Sequence, residues 1–182
     1  MKTDLSKYDN SWYNPGSLPK RMLWYFVSIV FFQSGWNLSS GLKIILLRSF
    51  GAKIGTGVVV KPRVTIKYPW NLKIGNHCWI GEKVWIDNLT LVTLKDNVCI
   101  SQGALLLCGN HNYKKPTFDL IIKPIVLNEG SWVGARSCVA PGVSLGSHSV
   151  LSMGSVATSD LEPYFIYSGN PAQKKALRTI DS

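Results

Sequence analysis

The 182-residue chain has few charged side chains: they make up 16% of it, against the quarter that is usual for a globular domain. Of the charged residues, 20 are basic and 10 are acidic, which gives a formal net charge of +10. The shortage indicates that neighbouring subunits or another partner cover much of the surface. The excess of positive charge favours anionic partners. No helix-turn-helix, zinc-finger or ribonucleoprotein pattern occurs, so we expect no nucleic-acid partner.

Cysteine and histidine are also scarce, with four and three residues respectively. No two cysteines have the C-x-x-C spacing of a zinc ribbon or a redox pair, and we expect no metal site. Cys78, Cys99 and Cys138 fall inside a repetitive region, where small residues pack well. We interpret them as reduced, buried residues of a cytoplasmic protein.

What the chain does contain is a six-residue recurrence of aliphatic residues, broken once by a loop that carries His111. A period of six fits neither a helix of 3.6 residues per turn nor a simple alternating strand. It is typical of a left- or right-handed coil of short strands, in which each flat side points one aliphatic side chain inwards. The recurrent residues are Ile54, Val60 and Ile66, then Ile74, Ile80, Ile86, Val92 and Val98, and later Leu127, Val133, Val139, Leu145 and Leu151.

The register of this recurrence changes within the repeat. Leu94, Ile100 and Leu106 do not continue the register of Ile74, which implies a two-residue insertion near residues 91–93. Without the loop at 109–124, the repeat from Ile54 to about Val156 has room for roughly five coils of three hexads each.

No apolar run in the N-terminal part reaches the roughly 20 residues that a bilayer-spanning helix needs. The run from Met22 to Phe32 has eleven residues, and it starts too late for a signal peptide. Its spacing predicts a helix. A second helix is predicted from Ser39 or Ser40 to Phe50, since either serine can cap it.

Two interpretations of these helices stay open. They either seal the first coil of the repeat against edge pairing, or they dock peripherally at the inner face of the membrane, helped by Lys20 and Arg21. We expect residues 1–50 to form a polar arm and a helical cap, 51–160 the repeat domain with its loop at 109–124, and 161–182 a C-terminal tail.

Several segments together resemble the hexapeptide-repeat acyltransferases. They are IGNHCWIG at 74–81, WVGA at 132–135 with PGV at 141–143, and the tail SGNPA at 168–172. The segment CGNHNY at 108–113 resembles the catalytic loop of the maltose, galactoside and nodulation O-acetyltransferases. The N-terminal helices and WIDN at 85–88 are most similar to the colanic acid, or exopolysaccharide, acetyltransferase branch.

The resemblance implies an all-β fold, namely a left-handed parallel β-helix with an N-terminal helical cap and a short C-terminal helix. It implies an O-acetyltransferase that moves an acetyl group from acetyl coenzyme A to a sugar hydroxyl in polysaccharide biosynthesis. It also implies a homotrimer with active sites at the subunit interfaces. The acceptor is expected to be a glycan or a lipid-linked sugar.

Residues that match the family's motifs are assigned roles by the same resemblance. His111 is the expected general base, because imidazole titrates near neutrality. The backbone N–H of Ala135 is the expected oxyanion donor. Trp132 is expected to wall the acceptor pocket. Asp87 and Asn88 are expected to bind the acceptor or, for Asp87, to orient the imidazole.

The resemblance also implies a place for acetyl coenzyme A, in a groove between adjacent subunits. Its extended pantetheine is expected to follow the backbone of Ala140, Gly142 and Ser152. Its nucleotide end is expected to meet the C-terminal tail, where a cation suits phosphate. The tail residues are Gly169, Asn170, Pro171 and Lys174.

Two alternatives belong to other classes. A zinc carbonic anhydrase on the same fold needs three convergent histidines, whereas this chain places His77 and His148 in turns of the repeat. A non-catalytic β-helix scaffold would bind no acetyl coenzyme A and would not need His111.

Overall fold

The computed structural model describes residues 2–35 and 38–180 of the chain. Its centre is a parallel β-helix with three flat faces, and each coil contributes one short strand to each face. The prediction of a parallel β-helix on a six-residue recurrence is therefore confirmed.

The strands stack in the same order on all three faces of the described residues. The first face contains β1 (Lys53–Ile54), β4 (Leu72–Ile74), β7 (Val92–Leu94), β12 (Ile125–Leu127) and β15 (Ser144–Leu145). The second face contains β2 (Val59–Val60), β5 (Trp79–Ile80), β8 (Cys99–Ile100), β13 (Trp132–Val133), β16 (Val150–Leu151), β18 (Phe165–Gly169) and β19 (Ala172–Leu177). The third face contains β3 (Thr65–Ile66), β6 (Trp85–Asp87), β9 (Leu105–Leu107), β14 (Cys138–Val139) and β17 (Val156–Ala157).

The recurrent aliphatic residues form columns inside the β-helix. On the second face, Ile80, Ile100 and Val133 are paired one above another, and each is 0% exposed. On the third face, Ile86 and Leu106 stack in the same way and are equally buried. Each strand is therefore held by its backbone hydrogen bonds to the coils on either side and by one inward side chain.

Extra residues enter the coils at one corner, between the third and first faces. Leu145 follows Val139 by six residues, whereas Leu94 follows Ile86 by eight, as the shift of register indicated. The preceding coil has an equivalent extension at residues 67–71, which includes a 3₁₀ turn. The next coil extends at the same corner into a hairpin of β10 (Gly109–His111) and β11 (Leu120–Ile122).

The N-terminal part forms two α-helices, both of which were expected. The first helix, α1 (Leu18–Val27), begins before the predicted Met22 and continues into a π-helical segment, Ser28–Gln33. The second helix, α2 (Ser40–Ser49), is capped by Ser39, whose Oγ accepts a hydrogen bond of 3.3 Å from the N–H of Leu42. A 3₁₀ turn, Leu5–Lys7, precedes both helices.

The helices pack against the first coil through a small aromatic cluster. Trp24 is 3% exposed, and its Nε1 donates a hydrogen bond of 2.8 Å to the carbonyl of Ile66. Its ring packs against Phe32 and Phe50. In the described part of the chain, no helix has the length and apolar character that crossing a bilayer requires.

The prediction of a short C-terminal helix is wrong. Residues 165–177 form an antiparallel hairpin of β18 and β19, which extends the second face because β18 pairs in parallel with β16. The sequence AQKKAL favours a helix by propensity, but a strand edge offers hydrogen bonds that override so small a preference. Gly169, with φ of +109°, allows the chain to turn between the strands.

Candidate active site

The corner insertions and the N-terminal arm enclose a polar cavity of about 560 Å³. The insertions of three successive coils lie above one another and form one wall, and residues 8–15 form the opposite wall. The lining residues are Tyr8, Asn10, Ser11, Tyr13, Pro15, Arg21, Lys67, Tyr68, Asp87, Leu89, Gly109, His111 and Leu120.

His111 ends strand β10 and is held by the turn of its own hairpin. Its Nδ1 lies 2.9 Å from the carbonyl oxygen of Phe118, and the two rings stack with centroids 4.5 Å apart. A carbonyl oxygen only accepts, so Nδ1 of the neutral ring carries the proton and donates. Nε2 is thus the unprotonated nitrogen of the neutral ring, and it is left free to accept a proton.

The hairpin turn is shaped to present that carbonyl. Phe118 has a φ of +52°, and its N–H donates a hydrogen bond of 3.1 Å to the carbonyl of Lys115. An ion pair of 2.9 Å between Lys115 and Asp119 closes the same turn. The loop predicted at 109–124 is therefore a folded hairpin, and its geometry fixes the orientation of the histidine.

Asp87 lines the cavity, but it does not orient the imidazole. Its Oδ1 lies 2.9 Å from Nζ of Lys67, and its side chain is 14% exposed. The described residues contain no hydrogen bond between Asp87 and His111, whose Nδ1 is engaged by Phe118. The suggestion that Asp87 holds the imidazole is therefore corrected. Its predicted place beside the acceptor stays a prediction.

Asn88 does not face the cavity, contrary to its predicted role as an acceptor ligand. It is 0% exposed. Its Oδ1 accepts hydrogen bonds of 3.1 and 3.0 Å from the N–H groups of Lys67 and Tyr68, and its Nδ2 donates to the carbonyls of Tyr68 and Asn71. The amide joins two stacked insertions and has no donor or acceptor left for a sugar.

The N-terminal arm contributes cavity residues that sequence reasoning missed. The hydroxyl of Tyr13 donates a hydrogen bond of 2.7 Å to the carbonyl of Leu89, and burial raises the pKa of Tyr13 well above its ordinary value. The N–H of Asp4 donates to the carbonyl of Pro116, which ties the arm to the hairpin. The sequence of the arm is polar and turn-rich, and no local pattern in it reveals what it covers.

The cysteine beside the site, Cys108, is a buried thiol. Cys108 is 0% exposed, and burial raises the pKa of its thiol to about 11. Burial likewise raises the pKa values of Cys78, Cys99 and Cys138. All four cysteines are free thiols; of the three predicted to be buried, Cys78 is buried, whereas Cys99 and Cys138 are half-buried. Within the described ranges no group of three or more His, Cys, Asp or Glu residues is arranged to hold a metal ion.

Trp132 and Ala135 line a second cavity of about 470 Å³, on the second face and its following corner. Nε1 of Trp132 donates a hydrogen bond of 2.9 Å to Oγ of Ser101. The N–H of Ala135 donates to no group among residues 2–35 and 38–180. Ser152 lies in this cavity too, but its N–H is bonded to Tyr167, so only its hydroxyl is available.

The other residues predicted to meet the cofactor are dispersed. The N–H of Ala140 is bonded to Ala157, so it cannot serve a ligand, whereas Gly142 is exposed at the insertion corner. The tail residues Gly169, Asn170 and Pro171 form the exposed turn between β18 and β19.

Lys174, the predicted phosphate ligand, is engaged within its own chain. Its Nζ lies 2.7 Å from Oε2 of Glu162 and 3.5 Å from the centre of the Phe165 ring. The neighbouring Lys175 is exposed and forms no ion pair with the described residues. Lys175 is thus a cation of the tail that no carboxylate of the described residues engages.

Comparison with known proteins places this arrangement in a family. Residues 124–159 match the family described as the hexapeptide repeat of succinyl-transferase. The chain is 35% identical over 157 residues to a proposed colanic acid biosynthesis acetyltransferase, WcaF, of Escherichia coli (strain K12), with 86% of each chain covered. It is 28% identical over 139 residues to the galactoside O-acetyltransferase of the same strain, which covers 75% of this chain and 68% of that protein.

Solved structures give the same fold. A hexapeptide-repeat acetyltransferase of Vibrio cholerae O1 biovar eltor, complexed with acetyl coenzyme A, superposes with a TM-score of 0.81 at 22% identity, and 92% of this chain and 93% of that chain are covered. A galactoside acetyltransferase in complex with coenzyme A gives a TM-score of 0.76 at 24% identity, over 87% and 80% of the two chains. The chain belongs to the hexapeptide-repeat acetyltransferases.

The tautomer of His111 is directly testable. In ¹⁵N spectra of the neutral form, we expect Nδ1 of His111 to be protonated and Nε2 to be bare, because Nδ1 donates to the Phe118 carbonyl. With three histidines in the chain, the His111→Asn variant assigns the signal by its loss. A protonated Nε2 in the neutral ring would contradict the proposed geometry.

Proposed function

We propose that the protein is an acetyl-coenzyme A-dependent O-acetyltransferase that acts on a sugar hydroxyl in exopolysaccharide biosynthesis. The observation that carries the proposal is the free Nε2 of His111 in a cavity lined by hydroxyl, amide and carboxylate groups. Such groups suit the many hydroxyls of a sugar. The similarity to WcaF supports an exopolysaccharide acceptor.

In this mechanism His111 is the general base. Nε2 removes the proton from a sugar hydroxyl as its oxygen attacks the acyl carbon, while the Nδ1–H bond to Phe118 stabilises the charged ring that forms. The imidazolium then returns the proton to the leaving sulfur. Stacking on Phe118 keeps the ring in one orientation through both transfers.

Acetyl coenzyme A, which supplies the acyl group as an activated thioester, fits the groove beside Trp132. The N–H of Ala135 has no partner among the described residues of its own chain, so it can donate to negative charge that develops on the acyl oxygen. The hydroxyl of half-buried Ser152 and the exposed backbone at Gly142 are suited to the pantetheine amides. Lys175, rather than Lys174, is suited to the phosphates.

Bringing His111 and Ala135 to one acyl group takes a second subunit, because within one chain they line different cavities. The outward side chains support such an assembly. The second face presents Trp79 and Trp132, each 43% exposed, whereas the first face presents Lys53 and Lys73. We propose a homotrimer in which apolar faces meet and each interface pairs His111 of one subunit with Ala135 of the next.

The role of His111 is tested with acetyl coenzyme A and a panel of free and lipid-linked glycans, by following thiol release. The His111→Asn variant keeps a donor for the Phe118 carbonyl but lacks Nε2. We expect the acceptor-dependent rate to fall about 100- to 10,000-fold. The control is Lys114→Gln, an exposed change in the same hairpin that should leave the rate unaltered. Equal rates in wild type and His111→Asn would exclude this base and favour a scaffold.

The assembly is tested by light scattering after gel filtration. We expect a mass three times that of the 20.2 kDa chain. Trp79→Glu on the second face should shift the mass to the monomer, since a buried unpaired charge opposes association. Lys73→Glu on the first face is the control and should remain trimeric. A wild-type mass of one chain would refute the trimer.

We further propose that α1 contacts a membrane surface peripherally. Leu23, Tyr25 and Phe26 of this helix are about 60% exposed, at 58%, 62% and 63%, and Lys20 belongs to the same helix. An exposed apolar helix face next to basic residues is suited to the boundary between acyl chains and anionic headgroups.

Vesicle co-sedimentation tests this contact. We expect the protein to sediment with vesicles that contain phosphatidylglycerol, and Phe26→Asp to reduce the bound fraction severalfold because a carboxylate resists burial in lipid. Leu5→Asp is the matched control, since Leu5 is 62% exposed but lies outside α1. If wild type and Phe26→Asp sediment equally with the vesicles, α1 does not form the membrane contact.

A further inference from the structure

An apolar groove of about 380 Å³ lies directly beside the polar cavity that holds His111. It runs between α1 and the first two coils of the third face, and its walls include Met22, Trp24, Thr65 and Trp85. Arg21, Lys67 and Tyr68 line both the groove and the polar cavity. The two spaces therefore adjoin one another, and the residues that they share include two cations.

Arg21 is the unusual residue at this junction. Its Nε is buried and has no hydrogen-bond partner, and the residue forms no ion pair with any part of the chain that the structure describes. A guanidinium is costly to bury without an acceptor, and its planar donors match phosphate oxygens. Lys67, which lines the same two spaces, is already paired with Asp87. Arg21 is therefore the cation there that has no anionic partner among the described residues.

The polarity of the lining residues falls from the cavity that holds His111 to the groove beside α1. The cavity at His111 is polar, the junction is cationic, and the groove is apolar. Outside the groove, α1 presents exposed apolar residues such as Leu23 and Phe26. A ligand that matches this order has a polar head, an anionic link and an apolar tail.

We propose that the acceptor is a sugar joined through phosphate to a lipid chain, with its phosphate on Arg21 and the first part of its lipid in the groove between α1 and the third face. The inference rests on the proposed function, because the sugar hydroxyl is the one that His111 deprotonates. It explains why one side of α1 walls the site while the helix also presents apolar side chains outwards.

The probe for this site is farnesyl phosphate, which carries the anionic link and an apolar chain without any sugar. Its binding is measured by calorimetry in the absence of acetyl coenzyme A, and Trp85 in the groove gives a fluorescence signal for the same event. Farnesol, which lacks the phosphate, and a sugar 1-phosphate, which lacks the chain, are the comparison ligands. We expect farnesyl phosphate to bind more tightly than either.

Two variants separate the two contacts. Arg21→Gln should weaken the binding of farnesyl phosphate about tenfold, because a charge-assisted hydrogen bond to the phosphate is lost. The same variant should bind farnesol as tightly as wild type does. Met22→Asp places a carboxylate in the groove and should weaken both ligands. Its control is Ile45→Asp, which lies on α2 and is 64% exposed but stands outside the groove, and which should bind like wild type.

Inhibition of acetyl transfer tests whether the farnesyl phosphate site is also the acceptor site. Farnesyl phosphate should inhibit acetyl transfer competitively against the acceptor and not against acetyl coenzyme A. Failure of farnesyl phosphate to bind, or equal binding by wild type, Arg21→Gln and Met22→Asp, would overturn the inference. Loss of the trimer in Met22→Asp would also overturn it, by assigning the groove to a subunit interface.

The two proposals fail in different ways. An active His111→Asn enzyme would overturn the function while farnesyl phosphate still bound. Acetyl transfer to free sugars that is dependent on His111 and insensitive to farnesyl phosphate would uphold the function and overturn the lipid-linked acceptor.

Discussion

Register between coils is the constraint on which the rest of this structure depends. Each coil must bring its inward side chain above that of the previous one, or the column of Ile80, Ile100 and Val133 would be interrupted and backbone hydrogen bonds would be lost. Extra residues are therefore tolerated at the corners, where they do not interrupt the backbone hydrogen bonds between stacked strands. In this chain three successive coils place them at the same corner, so the insertions stack and build a wall.

The stacked insertions are held by contacts that look functional in the sequence but serve the fold. Asn88 joins the insertion of one coil to that of the coil before it through hydrogen bonds to backbone groups of Lys67, Tyr68 and Asn71. Gly109 begins the hairpin where a Cβ would meet Leu89 at 2.5 Å, so the hairpin can lie against the insertion beneath it. The position of His111 follows from this layering, because its strand begins where Gly109 lies against Leu89 of the insertion beneath.

The sequence predicted what repeats and missed what depends on distant contacts. The six-residue recurrence identified the faces, and the broken register located the insertion corner. The roles of Asn88 and Lys174 could not be predicted, because an amide or an ammonium group becomes structural only when particular backbone groups or Glu162 lie within reach. The C-terminal hairpin was missed for the same reason: AQKKAL favours a helix locally, and the free edge of β16 decides otherwise.

The two interpretations of the N-terminal helices, a cap and a docking surface, do not exclude each other. A helix has more than one side, and α1 uses them separately. Trp24 and Val27 are buried against the first coil, which protects an edge that would otherwise pair with another chain. Leu23 and Phe26 point away from it and are more than half exposed. Since the cap must lie at the first coil, and the insertion corner begins there, any lipid surface met by α1 is also brought to the mouth of the cavity that holds His111.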